Sequence, residues 1–249
     1  SKPSKLEIDK SKFISQLENN RINIKKIIDK QSHILEMKLL PSLKSIGIQI
    51  VKWTDLSSND RIEITKWYLN KIHPILTPIT VDPEQPFPHI SNLAMNLGVI
   101  ATNNNGQDSF FCRIKIPAKL PQLIKINVTH SASSITFKNP LKYISLIELV
   151  NAHLNLLLPG ALIKESLPFR ITRATGVDDD NDDDINSLIE FVEESLEHRK
   201  FADPVRLECG KSPSSTIIEI LKNGLNITDS MIYSSESEFN SGECSVISR

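Results

Sequence analysis

Five prolines stand close together between Pro74 and Pro88, and they restrict the possible folds of this chain more than any other feature. Because proline fixes φ and has no amide hydrogen, this stretch cannot be helical and has to be extended or turned. Helical spacing precedes it, whereas strand-like alternation follows it. We therefore place a boundary just before the prolines, which divides the chain into a partial helical N-terminal domain at 1–72 and a main domain at 73–234.

The N-terminal unit is predicted to be helical. Apolar residues recur at helical spacing, and they are Phe13, Leu17, Ile24, Ile28, Leu35 and Leu39. This pattern predicts one long helix or a broken pair, ending near Pro41 and then at Gly47. A coiled-coil seam would need a more sustained repeat, so we expect the apolar face to pack against the rest of a helical bundle. A short strand at 48–51 and a capped helix at about 60–72 are expected to follow.

A β-hairpin is predicted at the start of the main domain. Two runs of alternating apolar residues, at 93–99 and 110–116, indicate two strands. In each strand, every second side chain is apolar and points to the same side. Asn103–Gly106 lies between the two runs and supplies residues that tolerate positive φ. The two runs therefore predict antiparallel strands joined by a long loop.

Strands and helices alternate in the rest of the chain. Ser145 and Glu148 have the spacing of a capping box and predict a helix that ends before Pro159. The later elements are expected to be a strand at 169–173, a helix at 185–199, a strand at 205–208, a helix at 213–223 closed by Gly224 and a strand at 231–233. This order predicts an α+β fold in which a mixed sheet has flanking helices and follows the partial helical domain. Residues 235–249 are predicted to be a disordered polar tail.

Charge is distributed unevenly along the chain. Residues 1–177 contain 23 lysines and arginines and 13 aspartates and glutamates, whereas residues 178–249 contain 6 and 17. This asymmetry predicts one face for an anionic partner and an acidic face that repels it, without identifying the partner. No apolar run approaches the roughly 20 residues of a membrane span, and the start lacks a signal peptide's apolar stretch. Because the chain begins with Ser1, we expect it to be processed or cut from a longer protein.

Several short motifs invite a chemical interpretation, but each has a simpler structural one. Gly210-Lys211-Ser212 precedes a helix, but a phosphate-binding loop needs a glycine where Val205 stands. The acidic run 178–184 lacks the central glycine and closing glutamate of a calcium loop, so a solvated turn is expected there. The histidines show no ligand or nucleophile-base spacing, and the three cysteines are predicted to be free thiols. We therefore predict no catalytic residue, metal ligand or cofactor-binding residue in this chain.

Five segments, in a fixed order, carry a family resemblance. Residues 75–99 read ILTPITVDPEQPFPHISNLAMNLGV. After them come FFCRIKIPAKLPQLI, YISLIELVNAHLNLLLPG, LPFRITRATGV and DPVRLECG. This order, over about residues 34–233, resembles polyphosphate kinases of the large, histidine-phosphorylating type. The first segment resembles the entry into their middle (head) domain, so the resemblance implies a head domain preceded by part of the helical N-terminal domain.

The resemblance also implies an activity. Such kinases transfer the terminal phosphate of ATP to polyphosphate, reversibly and with Mg2+, through a phosphohistidine carried by two C-terminal domains. The match stops near Tyr233, so we expect those domains to be missing, ATP and Mg2+ to have no identifiable ligands here, and the chain to be inactive alone. The implied partners are polyphosphate and ATP, through the absent domains, and a second copy of the chain through the head domain, without nucleic acid. A cytoplasmic location is expected, with membrane or vesicle association left open.

Three arginines in the matching segments are the site residues that the resemblance implies. Arg170, Arg173 and Arg206 are predicted to face polyphosphate, because the head domain contributes to a basic product tunnel in this family. Arg170 and Arg173 stand three apart on a strand and should lie on opposite faces, and Arg206 is alternatively expected to pair with an acidic neighbour. Two other functions stay open: a stand-alone non-catalytic protein that binds polyphosphate or dimerises, and a remnant without function. Salt-dependent binding of polyphosphate would favour the first of these.

Overall fold

A large mixed sheet organises the part of the chain that the computed structural model describes, namely residues 5–81, 86–103, 108–126, 141–174, 202–210 and 213–235. The helices are α1 (Lys5–Ile34), α2 (Leu40–Ser45), α3 (Ser58–Lys71), α4 (Leu146–Ala152), α5 (Leu154–Leu157) and α6 (Ser215–Leu225). The strands are β1 (Ile48–Ile50), β2 (Pro78–Val81), β3 (Met95–Asn103), β4 (Ser109–Lys115), β5 (Leu123–Ile126), β6 (Leu141–Ser145), β7 (Ala161–Arg173), β8 (Pro204–Cys209) and β9 (Ile232–Ser234). Several predicted features lie outside the described residues: the loop tip at 104–106, the acidic run 178–184, the helix at 185–199, residues 211–212 and the tail from 236 onward.

The strands form two sheets that both contain parallel and antiparallel pairs. The large sheet has the order β2-β4-β3-β7-β8-β9, and its neighbours are antiparallel except for the parallel pair β8 and β9. The small sheet has the order β1-β6-β5, in which β1 and β6 are parallel. The predicted α+β fold with a mixed sheet and flanking helices is confirmed.

Each face of the large sheet carries a hydrophobic cluster. The first cluster joins the sheet to α3, α4, α5 and the small sheet, and the face that carries it is called the first face. The second cluster joins the opposite, second face to α6. Leu97 and Val99 of β3 belong to the first cluster and Ile100 belongs to the second. Because both faces are covered, β3 is buried at every residue from 96 to 102.

The hairpin of β3 and β4 is confirmed, with one correction. Leu93 was predicted to continue the alternation of the first strand, but it precedes β3 and has φ +57. Gly98 of β3 faces the second cluster, where an added Cβ would lie 2.9 Å from Phe111 Cε2 and 3.2 Å from Ile217 Cγ2. The strand therefore approaches α6 closely at this glycine.

The first helix does not end at Pro41 as predicted. A π-helical turn, Leu35–Leu39, joins α1 to α2, and Pro41 stands in the first turn of α2. A proline is tolerated there because a first-turn residue needs no amide hydrogen, and the wider turn before it changes the hydrogen-bond pattern. The helix ends before Gly47, which has φ +84, so the second predicted stop is confirmed.

The apolar face of α1 is covered only near its C-terminal end, within the described residues. Leu35 is buried and Ile24 and Ile28 are half-buried, whereas Leu17 is 52% exposed and Leu39 is 40% exposed. The bundle that we expected against this face is therefore not formed by the part of the chain that the structure describes.

The capping box at Ser145 is only half confirmed. Ser145 Oγ accepts a hydrogen bond from the backbone N–H of Glu148 at 3.2 Å. The Glu148 carboxylate, however, accepts from the backbone N–H of Trp53 at 2.8 Å, so it ties α4 to the segment after β1. The predicted single helix is also broken at His153 into α4 and α5.

Gly224 does not close α6, which corrects another prediction. The helix is capped by Ser214, whose Oγ accepts from the N–H of Ile217 at 3.2 Å, and it continues to Leu225. Its C-terminal residue with positive φ is Asn226, at +52. Gly224 lies inside the helix, and the ring of Phe87 packs directly against it. An added Cβ at this position would overlap the ring. The glycine thus permits a close approach and does not form the turn.

We expect Gly224→Ala to destabilise the protein by about 1–3 kcal/mol, because overpacking at Phe87 outweighs the gain in helix propensity of about 1 kcal/mol. Chemical denaturation measures the free energy of unfolding. Gly210→Ala is the matched control, because the nearest atom to a Cβ there, Pro168 Cδ, lies 3.9 Å away. A more stable Gly224→Ala variant would show that the ring does not restrict this position.

Candidate functional site

Arg170 and Arg206 lie together on the first face of the large sheet. Arg170 is directly opposite Met95 of β3, which packs against the first cluster, and directly opposite Glu208 of β8. Arg206 is opposite Thr172 on the same pair of strands. Residues that face each other across a ladder, and residues two apart on a strand, share one face. We call Arg170 and Arg206 the arginine pair.

One carboxylate serves both members of the arginine pair. Arg170 Nε donates to Glu208 Oε2 at 2.9 Å, and Arg206 Nη2 lies 3.4 Å from the same oxygen. The three side chains are 26%, 29% and 22% exposed, in the order Arg170, Arg206 and Glu208. Two positive charges against one negative charge leave this half-buried cluster with a net positive charge.

The arginine pair also has hydrogen-bond donors to spare. A guanidinium carries five N–H donors, more than one shared carboxylate accepts. Arg206 Nε and Thr172 Oγ1 are buried atoms without a hydrogen-bond partner among the described residues. Both residues lie on the first face beside Glu208. The cluster is therefore suited to an incoming group that brings negative charge and acceptor oxygens.

Side chains alternate between the two faces along a strand. Arg173 therefore lies on the second face, whereas Arg170 lies on the first. It is buried, its Nε donates to Ile90 O at 3.0 Å, and its Nη1 donates to Ala202 O at 2.7 Å. Burial lowers the pKa of Arg173, and the negative charge of Asp203 opposes that shift. The structure thus brings Arg170 and Arg206 together and separates them from Arg173, which joins β7 to the segment before β3.

His153 is a buried structural histidine. Its Nδ1 lies 2.8 Å from Leu149 O and its Nε2 lies 2.9 Å from Thr65 Oγ1. Because a carbonyl oxygen only accepts, Nδ1 carries the proton and Nε2 accepts from the threonine hydroxyl. The ring stacks on Tyr68 at 4.4 Å between centroids and meets Trp53 edge-on at 4.7 Å. Burial lowers the pKa of His153, and the bond to Leu149 opposes the shift.

The described cysteines are buried free thiols. Burial raises the pKa of Cys112 and of Cys209 to about 11, so both are protonated at neutral pH and poor nucleophiles. Among the described residues, no group of three or more His, Cys, Asp or Glu side chains is placed to hold a metal ion. In the part of the chain that the structure describes, no helix is both long and apolar enough to cross a membrane.

Comparisons with known proteins identify the family. The fold and the arginine pair define an α+β domain whose mixed sheet bears a cationic strand face. The family model described as "Polyphosphate kinase middle domain" matches residues 59–245, which is more than half of the chain. The chain therefore belongs to the polyphosphate kinase family and carries its middle domain.

Similar proteins give the same result. The polyphosphate kinase of Mycobacterium avium (strain 104) is 31% identical over 204 residues, which cover 81% of this chain and 28% of the relative. That of Mycobacterium tuberculosis (strain H37Rv) is 32% identical over 194 residues, covering 76% and 26%. The crystal structure of polyphosphate kinase from Porphyromonas gingivalis superposes with a TM-score of 0.70 at 14% identity, over 96% of this chain and 33% of that one. The structural likeness concerns the fold, and the chain spans less than a third of the length of the two mycobacterial relatives.

The neutral state of His153 predicts acid sensitivity. Because its pKa is lowered in the folded state, the unfolded chain binds more protons below the ordinary pKa of about 6.5. The contribution of neutral His153 to the free energy of unfolding is therefore fully present above that pH, and it decreases as the pH falls below it. We expect His153→Gln to be less stable at pH 7.5 but to lose less stability between pH 7.5 and 5.5 than the unmodified chain.

Urea denaturation at several pH values measures this difference. His33→Gln is the control, because it makes the same replacement at an exposed position of α1. Equal slopes in the unmodified chain and in His153→Gln would show that another group causes the acid sensitivity.

Proposed function

We propose that this chain is part of a polyphosphate kinase, an ATP:polyphosphate phosphotransferase that moves the terminal phosphate of ATP to polyphosphate in a reversible reaction. The observation that carries the proposal is the match to the middle domain over residues 59–245. ATP and Mg2+ are proposed for the longer protein, and no residue of this chain is assigned to bind them. A phosphohistidine intermediate and a cytoplasmic location are proposed on the same grounds.

The chain alone is expected to be inactive. Phosphoryl transfer needs in-line positioning and concentrated positive charge around the transferred group. His153, the histidine whose environment the structure defines most fully, is buried among aromatic rings and has both nitrogens in hydrogen bonds. Such a side chain has no free nitrogen to accept a phosphoryl group. We propose that catalysis requires the parts of the relatives that this chain does not cover.

We propose that residues 73–234 act as the head domain and residues 1–72 as part of the helical N-terminal domain. The two units are expected to work as one body, because Tyr68 and Ile72 share the first cluster with Leu97. A second copy of the chain is proposed to associate through the head domain. Residue 235 onward is proposed as a polar tail.

Within the head domain, we propose that the arginine pair faces polyphosphate. Phosphate oxygens would accept from the donors that Glu208 leaves unused, and the net positive charge would favour a polyanion over a neutral ligand. Arg173 belongs to the same predicted set, but its described donors contact backbone oxygens. We propose that it contributes charge and positioning more than direct contact.

Removing both charges tests the proposed polyphosphate face. We expect Arg170→Gln/Arg206→Gln to bind linear polyphosphate about tenfold more weakly or worse, because charge-assisted hydrogen bonds are each worth about 1.5–3 kcal/mol. The dependence of log K on log salt should also become less steep, since fewer counterions are exchanged. Titration of the unmodified chain and the variant at several salt concentrations measures both effects.

The control removes two positive charges elsewhere. Lys44→Gln/Lys66→Gln replaces exposed lysines on α2 and α3 and should change affinity little. An equal loss in both double variants would overturn the specific role of the arginine pair. Synthesis of polyphosphate from ATP by this chain alone would overturn the proposal that the uncovered parts carry catalysis.

A further inference from the structure

Arg113 is a buried charge without a described counter-ion. The side chain is 5% exposed, and its Nε donates to Asn96 Oδ1 at 2.9 Å. Among the described residues, no carboxylate forms an ion pair with it and no other hydrogen-bond acceptor contacts its guanidinium. A buried charge without an opposite charge is costly, and proteins usually place a carboxylate beside it. The neutral amide of Asn96 does not cancel the positive charge of Arg113, so this charge can still attract an anion.

A second cation lies on the same face of the sheet. Arg113 is directly opposite Gly98 and Lys115 is directly opposite Asn96, so these side-chain positions share the second face. Lys115 is exposed, and its Nζ donates to Ser91 Oγ at 3.0 Å, again a neutral partner. Two cations therefore stand two residues apart on β4, and each has a neutral hydrogen-bond partner.

Asn96 is held in the orientation that serves Arg113. It is fully buried, and its Nδ2 donates to Ala94 O at 2.7 Å. The amide oxygen is therefore the atom directed at the guanidinium. Because Nε is occupied, the two terminal nitrogens of Arg113 remain as a pair of parallel donors, which is the geometry that binds a phosphate group through two oxygens.

This cluster is separate from the arginine pair. Arg170 and Arg206 lie on the first face, whereas Arg113 and Lys115 lie on the second. The six-stranded sheet stands between the two sites. One anionic group thus cannot contact both sites at once.

We infer that Arg113, Lys115, Asn96 and Ser91 form a binding site for one phosphate group. Arg113 supplies a charged fork, Lys115 supplies a mobile point charge and Ser91 supplies a hydroxyl donor, while Asn96 holds the fork in place. The ligand class is orthophosphate or the terminal phosphate of a phosphoanion, which present the same oxygens to the site. The inference does not depend on the proposed enzymatic activity, because it follows from two cations whose described hydrogen-bond partners are neutral.

Orthophosphate is the probe that tests this site. We expect it to raise the melting temperature of the chain more than sodium chloride does at equal ionic strength, and to bind measurably by calorimetry. Lys115→Gln should weaken that binding about fivefold to tenfold, since it removes one charge-assisted contact. Arg113→Lys, which keeps the charge and loses the fork, should weaken it as well, and circular dichroism checks that the variant folds.

Controls separate this site from general cation effects and from the arginine pair. Lys125→Gln removes an exposed lysine from β5 and should leave orthophosphate binding unchanged. In Arg170→Gln/Arg206→Gln, the orthophosphate binding that remains belongs to this site and should still be weakened by Lys115→Gln, so failure of this site and failure of the polyphosphate face are distinguishable. Tripolyphosphate is the second ligand. If Lys115→Gln weakens tripolyphosphate binding as much as orthophosphate binding, the site also accepts the terminal phosphate of a longer phosphoanion.

Three outcomes would overturn the inference. The first is orthophosphate stabilisation no greater than that of chloride. The second is orthophosphate binding that Lys115→Gln leaves intact or that Lys125→Gln reduces equally. The third is binding of tripolyphosphate without any binding of orthophosphate, because a site for one phosphate group must accept the single group.

Discussion

Burial of β3 on both faces is the constraint on which the rest of this structure depends. Leu97 and Val99 contribute to the first cluster, whereas Ile100 contributes to the second. The same packing draws Arg113 of β4 and Arg173 of β7 into a dry environment. There they need partners, because an unpaired charge costs more in a low dielectric than at the surface. The electrostatic features of this chain follow from that packing.

The segment that begins at Pro86 completes the second face. Ile90 is fully buried in the second cluster, and Phe87 packs against Gly224 of α6. Arg173 donates to Ile90 O, so a charged side chain of β7 holds this segment by its backbone. Arg173 therefore holds the backbone of a segment without regular hydrogen bonds, and Pro86 and Pro88 restrict the backbone angles of that segment.

Three arrangements around buried or half-buried arginines appear on one sheet. Arg170 and Arg206 share a single carboxylate, Arg173 uses backbone oxygens, and Arg113 uses the amide oxygen of an asparagine. Among the described residues, Glu208 is shared by two arginines, the charge of Asp203 acts on Arg173, and no carboxylate forms an ion pair with Arg113. The proposed anionic ligands require such incomplete neutralisation, since full pairing would cancel the charge that attracts them.

The sequence pattern predicted that the described helices exist, though not all of their ends, and it predicted the hairpin, the mixed sheet and the family, because hydrophobic period and segment order can be read along the chain. It also placed Arg170 and Arg173 on opposite faces, since side chains alternate in any strand. Only the tertiary structure decided that Gly224 faces Phe87, that Glu208 serves two arginines and that a π-turn carries the first helix past its proline. The first two of these contacts join residues that are distant in sequence or depend on the register of neighbouring strands, whereas the π-turn is a local change in backbone hydrogen bonding. Neither distance nor register is encoded in a local pattern, so packing had to supply them.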